Sequence, residues 1–272
     1  MNDAVSARGT LRRLRDARAR GRKLLVPYLT AGYPDRERCA DALAGLADAG
    51  ADAIELGVPF SDPLADGPII AAASERAIAG GTSIEDAFDL AAGSFQGGAD
   101  RPPLVLFTYM NPLASMGAER LADACAEAGI AAVLVADLPY DEDLDVAAAL
   151  ARRGLPLIRL AAPTTPAGRL AELARGADGF VYLIARTGTT GAGAGTDARI
   201  AEQVGVIRAN TDLPVVVGFG IGDPESAIRA ARLADGVVVG SAFVERLGRD
   251  GPAAAVDWMR TLRDALDAAE SV

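Results

Sequence analysis

Glu55 is the only ionisable side chain in AIELG, residues 53–57, a run that otherwise reads as the end of a buried strand. An isolated buried carboxylate is costly unless it is paired or used. Glu55 stands two residues before the end of the run, which aims it into or over whatever that strand end faces. The competing reading is structural, with the carboxylate paired to an Arg or capping a neighbouring helix. Ser61, Asp62 and Asp66 follow in VPFSDPLADGP. Asp66 precedes Gly67, Pro68 and the helix-like IIAAASERAI, the pattern of a helix N-cap. Asp62, directly before Pro63, fits an ordinary Asx turn.

Glycines supply a second kind of chemistry. Gly218-Phe219-Gly220 closes one apolar run, and Gly240-Ser241 closes another and opens a helix. Bare amides at a helix N-terminus hold anions, so these positions form a candidate phosphate site, to which Gly191 can add an amide. What is missing matters as much. The chain has no His, and Lys23 is its only Lys. That removes imidazole bases and ligands, and it leaves no Schiff-base amine near Glu55. If a carbon bond is broken, carboxylates must move the protons and the substrate must accept the electron pair. A Mg²⁺ ion held by two aspartates and a phosphate remains open at this stage.

These groups need a frame. Eight short apolar runs, at 24–30, 52–57, 103–109, 131–137, 155–161, 178–184, 214–220 and 235–240, alternate with segments of helical period. Ile200, Val204 and Ile207 share one helical face, as do Cys39, Leu43 and Leu46. Parallel strands covered on both faces read as continuous Val, Ile and Leu. Eight right-handed βα units predict a (β/α)8 TIM barrel, one domain over 1–272, with an extra N-terminal helix within 1–23. The alternative, an open doubly wound sheet, lacks its dinucleotide fingerprint after the first run. The long connections at 58–67 and 185–196 then fall at the catalytic face, the second as a glycine-rich loop that closes over substrate.

Charge and composition narrow the partners. A net charge of −10 disfavours nucleic acid and anionic membranes, and no apolar run approaches the roughly 18 residues that span a bilayer. The Arg-rich start could belong to a transit peptide, but Leu11 and Leu14 suit a structural helix better. Cys39 and Cys125 read as small core residues of a protein in a reducing, cytoplasmic setting.

ELGVPFSDPLADGP, with PYLTAGYP, TYMNPLASMG, VADLPYDE, LAAPTTP, TGTTG, GFGIGDPE and VVVGSA in the same order, resembles the tryptophan synthase alpha subunit family over nearly the whole chain. The resemblance implies retro-aldol cleavage of indole-3-glycerol phosphate to indole and glyceraldehyde 3-phosphate. It assigns acid–base work on indole C3 and the side-chain hydroxyl to Glu55, acceptance of the indole N–H to Asp66, and a place beside the reacting centre to Tyr182. It also implies phosphate binding by Gly191, Gly220, Gly240 and Ser241, and a pocket and loop containing Tyr28, Phe107, Thr190 and Phe219. Pro59, Asp62, Asn111 and a 109–117 loop match the partner-facing region for a beta subunit, in an α2β2 complex. Pyridoxal phosphate belongs to that partner, so no cofactor and no metal are expected in this chain. The sequence departs from the family pattern at Ala185 and Thr189, where Ser and Val are common, and at Phe107, where a smaller side chain is usual. Two other readings stay open: a stand-alone lyase releasing indole, and a non-catalytic phosphate-binding regulator.

Overall fold

The computed structural model describes residues 7–64, 66–94, 101–184, 194–218 and 220–270. Eight parallel strands are present: β1 Leu24–Thr30, β2 Ile54–Gly57, β3 Leu104–Thr108, β4 Ala132–Val135, β5 Arg159–Ala161, β6 Val181–Ile184, β7 Val215–Gly218 and β8 Gly236–Val239. They pair in the order β4-β3-β2-β1-β8-β7-β6-β5. The remaining seam, β4 to β5, is drawn together by a parallel bridge between Val133 and Leu157. The sheet is therefore a barrel, as the eight apolar runs predict.

Parity within each strand separates two cores. Ile54 and Leu56, with Leu104 and Leu106, pack outward against the helices. Ala53, Val105, Phe107 and Tyr109 turn inward, alongside Val26 and Tyr28 of β1. Successive strand side chains alternate faces, so Glu55 points into the barrel with Gly57 above it. The register sets Glu55 beside Tyr28 on one neighbour and Val105 on the other.

Helix α1, Ala7–Ala19, seals the opposite end. Leu11 and Leu14 are buried there in the inner core with Phe180 and Ile158. This supports the structural reading of the Arg-rich start. The same end carries a charge network. Asp52 accepts the Leu25 amide at 2.9 Å and pairs with Arg22 at 2.8 Å and Arg263 at 3.0 Å. Asp235 accepts the Val215 amide at 2.9 Å and pairs with Arg208 at 2.7 Å. An Asp just ahead of a strand thus pins the amide of a neighbouring strand. Lys23 donates to the Ala234 carbonyl at this end, away from the catalytic face.

One expected element is different. The segment expected as a 109–117 loop is largely helical: α5 runs Met110–Met116, with Tyr109 as its N-cap residue and Gly117 ending it at φ 87°. Buried Leu113 gives the short helix a core-facing side, and only Gly takes that φ without strain.

Candidate active site

At the C-terminal ends of the strands lies a cavity of about 430 Å³. Glu55, Asp66, Tyr28, Tyr182 and Phe107 line one part of it. Gly220, Gly222, Gly240 and Ser241 line another. The apolar side is supplied by Ile69, Ile70, Leu160 and Val238.

Glu55 is 1% exposed, and neither carboxylate oxygen has a hydrogen-bond partner among the described residues. The structural reading, a carboxylate bound to an Arg or a helix cap, therefore fails. Burial alone drives its carboxyl up to about 8. Near neutral pH Glu55 is a protonated acid that faces a cavity and has a proton to give.

Asp66 is half-buried. Helix α3, Pro68–Ala79, takes its N-cap from Gly67, with no side-chain cap bond. The N-cap pattern at Asp66 is therefore not realised; Pro68 at the first helical position moves the cap one residue on. The carboxylate is left to face the cavity. Burial raises its carboxyl to about 6, with a hydrogen bond from Tyr109 pulling it partly back. The two acids thus sit on opposite sides of neutrality, Glu55 protonated and Asp66 ionised, which separates an acid role from a charge-stabilising one.

Two glycines make room for the phenols. A Cβ on Gly57 would collide with the Tyr28 hydroxyl, and one on Gly218 would lie 2.6 Å from the Tyr182 hydroxyl. Each ring leans over a neighbouring strand end that has no side chain to block it. Gly218, read in the sequence only as part of a glycine-rich strand end, is a niche for Tyr182. Tyr28 meets Phe107 edge-on, with centroids 5.4 Å apart, and its hydroxyl lies 3.4 Å from the Thr30 hydroxyl. Burial, then the nearby carboxylates, holds the Tyr182 phenol well above its usual range, so it is a neutral donor.

At the other end of the cavity, Gly240 is the N-cap of α11, Ser241–Asp250, and no side chain closes the helix end. Gly220 adopts φ 63°. Thr190, Gly191 and Phe219, like Ala185 and Thr189, lie outside the described residues. Of the partner-facing set, Pro59 is buried and Asn111 is exposed. Asp62 is exposed and accepts the Ser61 hydroxyl at 2.6 Å, which replaces the Asx turn expected there. Leu64, 84% exposed, adds an apolar contact to that rim. Among the described residues no three His, Cys, Asp or Glu side chains form a metal cluster.

Sequence reasoning missed three site residues. Tyr109 was quoted only within a partner-facing segment. Its signal was parity, because Val105, Phe107 and Tyr109 form one inward row. Gly222 was hidden in GFGIG. Glu245, on the second turn of α11, lines the cavity mouth and gave no local signal.

Residues 14–270 match the family model described as tryptophan synthase alpha chain. The chain belongs to the tryptophan synthase alpha chain family. It is 46% identical over 251 residues to the tryptophan synthase alpha chain of Synechococcus elongatus, covering 92% of this chain and 94% of that one. It is 44% identical over 262 residues to that of Alkalilimnicola ehrlichii, covering 94% and 95%. Among solved structures, tryptophan synthase from M. tuberculosis in a ligand-free form superposes with a TM-score of 0.85 at 34% identity, covering 94% of this chain and 98% of that one. The alpha subunit from Legionella pneumophila gives 0.85 at 32%, covering 95% and 98%. As a tryptophan synthase alpha chain, the protein is a carbon–carbon lyase of tryptophan biosynthesis that cleaves indole-3-glycerol phosphate.

Proposed function

We propose that Glu55, Asp66 and Tyr182 carry out this cleavage without a cofactor in this chain. The observation that carries the reading is the pairing of a buried, unpartnered acid at Glu55 with an ionised Asp66 across one cavity. Glu55 gives its proton to indole C3, which turns the ring into an iminium-like electron acceptor. Asp66 accepts the indole N–H and offsets the positive charge growing on that nitrogen. The resulting Glu55 carboxylate takes the proton of the side-chain hydroxyl as its oxygen becomes the aldehyde. The C3–side chain bond breaks, and its electron pair flows into the ring to neutralise the iminium. Protons balance: C3 keeps one, the hydroxyl loses one, and Glu55 ends as it began. Tyr182, neutral and above the centre, donates to the substrate side chain or the developing carbonyl.

Gly220, Gly240 and Ser241 hold the phosphate through amides and the positive end of α11. Among the described cavity-lining residues none is Lys or Arg, and Glu245 adds a negative charge at the mouth. The phosphate is thus held by backbone dipoles against one opposing carboxylate. Glu245→Gln is expected to lower KM about threefold at low salt, with kcat nearly unchanged and the gain fading as salt rises. A KM insensitive to both the substitution and salt contradicts this arrangement.

The partner is a tryptophan synthase beta subunit carrying pyridoxal phosphate, in an α2β2 complex. It docks at the rim formed by Pro59, Asp62, Leu64 and Asn111, and this chain works in the cytoplasm. The tryptophan synthase structures it resembles support that reading, and no helix of the described residues is long and apolar enough to cross a membrane. Turnover of indole-3-glycerol phosphate by the purified chain, alone and with the beta subunit of the same organism, tests it. Strong stimulation and co-elution are expected. Fast unassisted turnover with no complex on a sizing column would instead make the chain a stand-alone lyase.

A further inference from the structure

We infer that Tyr109 is a positioning residue for Asp66, fixing that carboxylate through its buried hydroxyl so that it meets the indole N–H. The inference rests on the role proposed for Asp66 above.

The geometry is that of a fixed post beside a movable carboxylate. Asp66 belongs to a connection between β2 and α3 that has few anchors of its own. Its amide makes only a long 3.4 Å bond to the Pro63 carbonyl, and its side chain caps no helix. Tyr109, by contrast, is held on every side. It is 1% exposed in the inner core. It follows β3 directly and is the N-cap residue of α5. Its ring stacks on Phe60 at 5.2 Å and meets Phe107 edge-on at 6.1 Å. The next amide, Met110 N, donates to Asp137 Oδ1 at 2.7 Å and ties the start of α5 to the loop after β4. The Tyr109 hydroxyl donates to the Asp66 carboxylate. Phe60 comes from the same connection as Asp66, so Tyr109 grips that connection twice, by stacking near its start and by hydrogen bonding near its end.

The other titratable groups facing Asp66 do not offer this support. Glu55, from β2, is protonated and unpartnered. Tyr28, from β1, directs its hydroxyl to Thr30. Tyr182, from β6, lies over Gly218 and interacts with both acids only through space. Tyr109 alone among these supplies a donor to Asp66. A donor to the ionised form keeps the carboxylate charged and orients its second oxygen toward the cavity.

The test is Tyr109→Phe, which retains both ring contacts and removes only the hydroxyl. We expect kcat to fall about tenfold with KM little changed, because the charge on nitrogen develops only in the transition state. The acid limb of kcat/KM is expected to move upward by roughly one pH unit, since Asp66 loses the bond that favoured its ionised form. In an Asp66→Asn background the same change should cost less than about twofold, because two residues that act together are not additive. Unchanged kcat and an unmoved acid limb would overturn the inference. So would an equal loss in both backgrounds, which would leave the role of Asp66 standing but detach Tyr109 from it. A fully active Asp66→Asn single variant would instead remove the Asp66 assignment itself, and it is read independently of Tyr109. Thermal melting of each variant separates a loss of fold from a loss of positioning.

Discussion

Glu55→Gln is expected to lose cleavage by more than about a hundredfold while still binding indole-3-glycerol phosphate. Gln has the shape of the protonated acid but no proton to give and no carboxylate to regenerate. The variant is also expected to be more stable than the parent near neutral pH. The sign follows from linkage. The folded chain keeps Glu55 protonated up to about 8, whereas the unfolded chain releases that proton near the ordinary Glu value. Between those limits the native state binds more protons, so stability falls as pH rises through the window. Gln does not titrate and escapes the loss, a gain on the order of 3 kcal/mol at pH 7 if the full shift is realised. Lower activity with higher stability is the mark of a carboxyl kept buried for chemistry. Near-wild-type turnover would remove Glu55 from the mechanism, and a lower melting temperature would show that it has a structural partner.

Asp66→Asn is expected to lower kcat by roughly a hundredfold, in the range seen when one preorganised charge-stabilising group is lost. Asn still accepts an N–H but cannot offset a positive charge. The parent enzyme should show a bell-shaped kcat/KM. It falls below about 6, where Asp66 becomes protonated, and above about 8, where Glu55 loses the proton it must deliver. The second ionisation of a phosphate ester also lies near 6, so the acid limb alone does not identify its owner. In Asp66→Asn that limb should flatten. A limb that persists unchanged belongs to the substrate phosphate, and a fully active Asp66→Asn removes the charge-stabilising role.

The frame was legible because parallel strands and their covering helices leave strong one-dimensional patterns. Each of the eight apolar runs contains a strand, and Leu11 and Leu14 announced the helix that seals the barrel. Glu55 was legible because an acid in an apolar run is an anomaly. Contacts that depend on closure of the barrel were not legible. Gly57 and Gly218 look like turn residues until the Tyr28 and Tyr182 rings are seen leaning over them. Asp66 carried the local signature of a cap, and Pro68 shifted the cap to Gly67. The helix at Met110–Met116 was taken for loop because it is short and contains Pro112. Tyr109 and Glu245 gain their meaning from neighbours far away in the chain, which no local window records.

The account turns on where the indole ring sits between two acids. The most direct measurement is a crystal structure of the Glu55→Gln variant holding intact indole-3-glycerol phosphate. The account predicts the residue 55 amide within hydrogen-bonding reach of C3 and the side-chain hydroxyl, an Asp66 oxygen on the indole nitrogen, and the phosphate on the amides around Gly240. An indole nitrogen facing solvent or the Tyr182 side, with Asp66 out of reach, contradicts it.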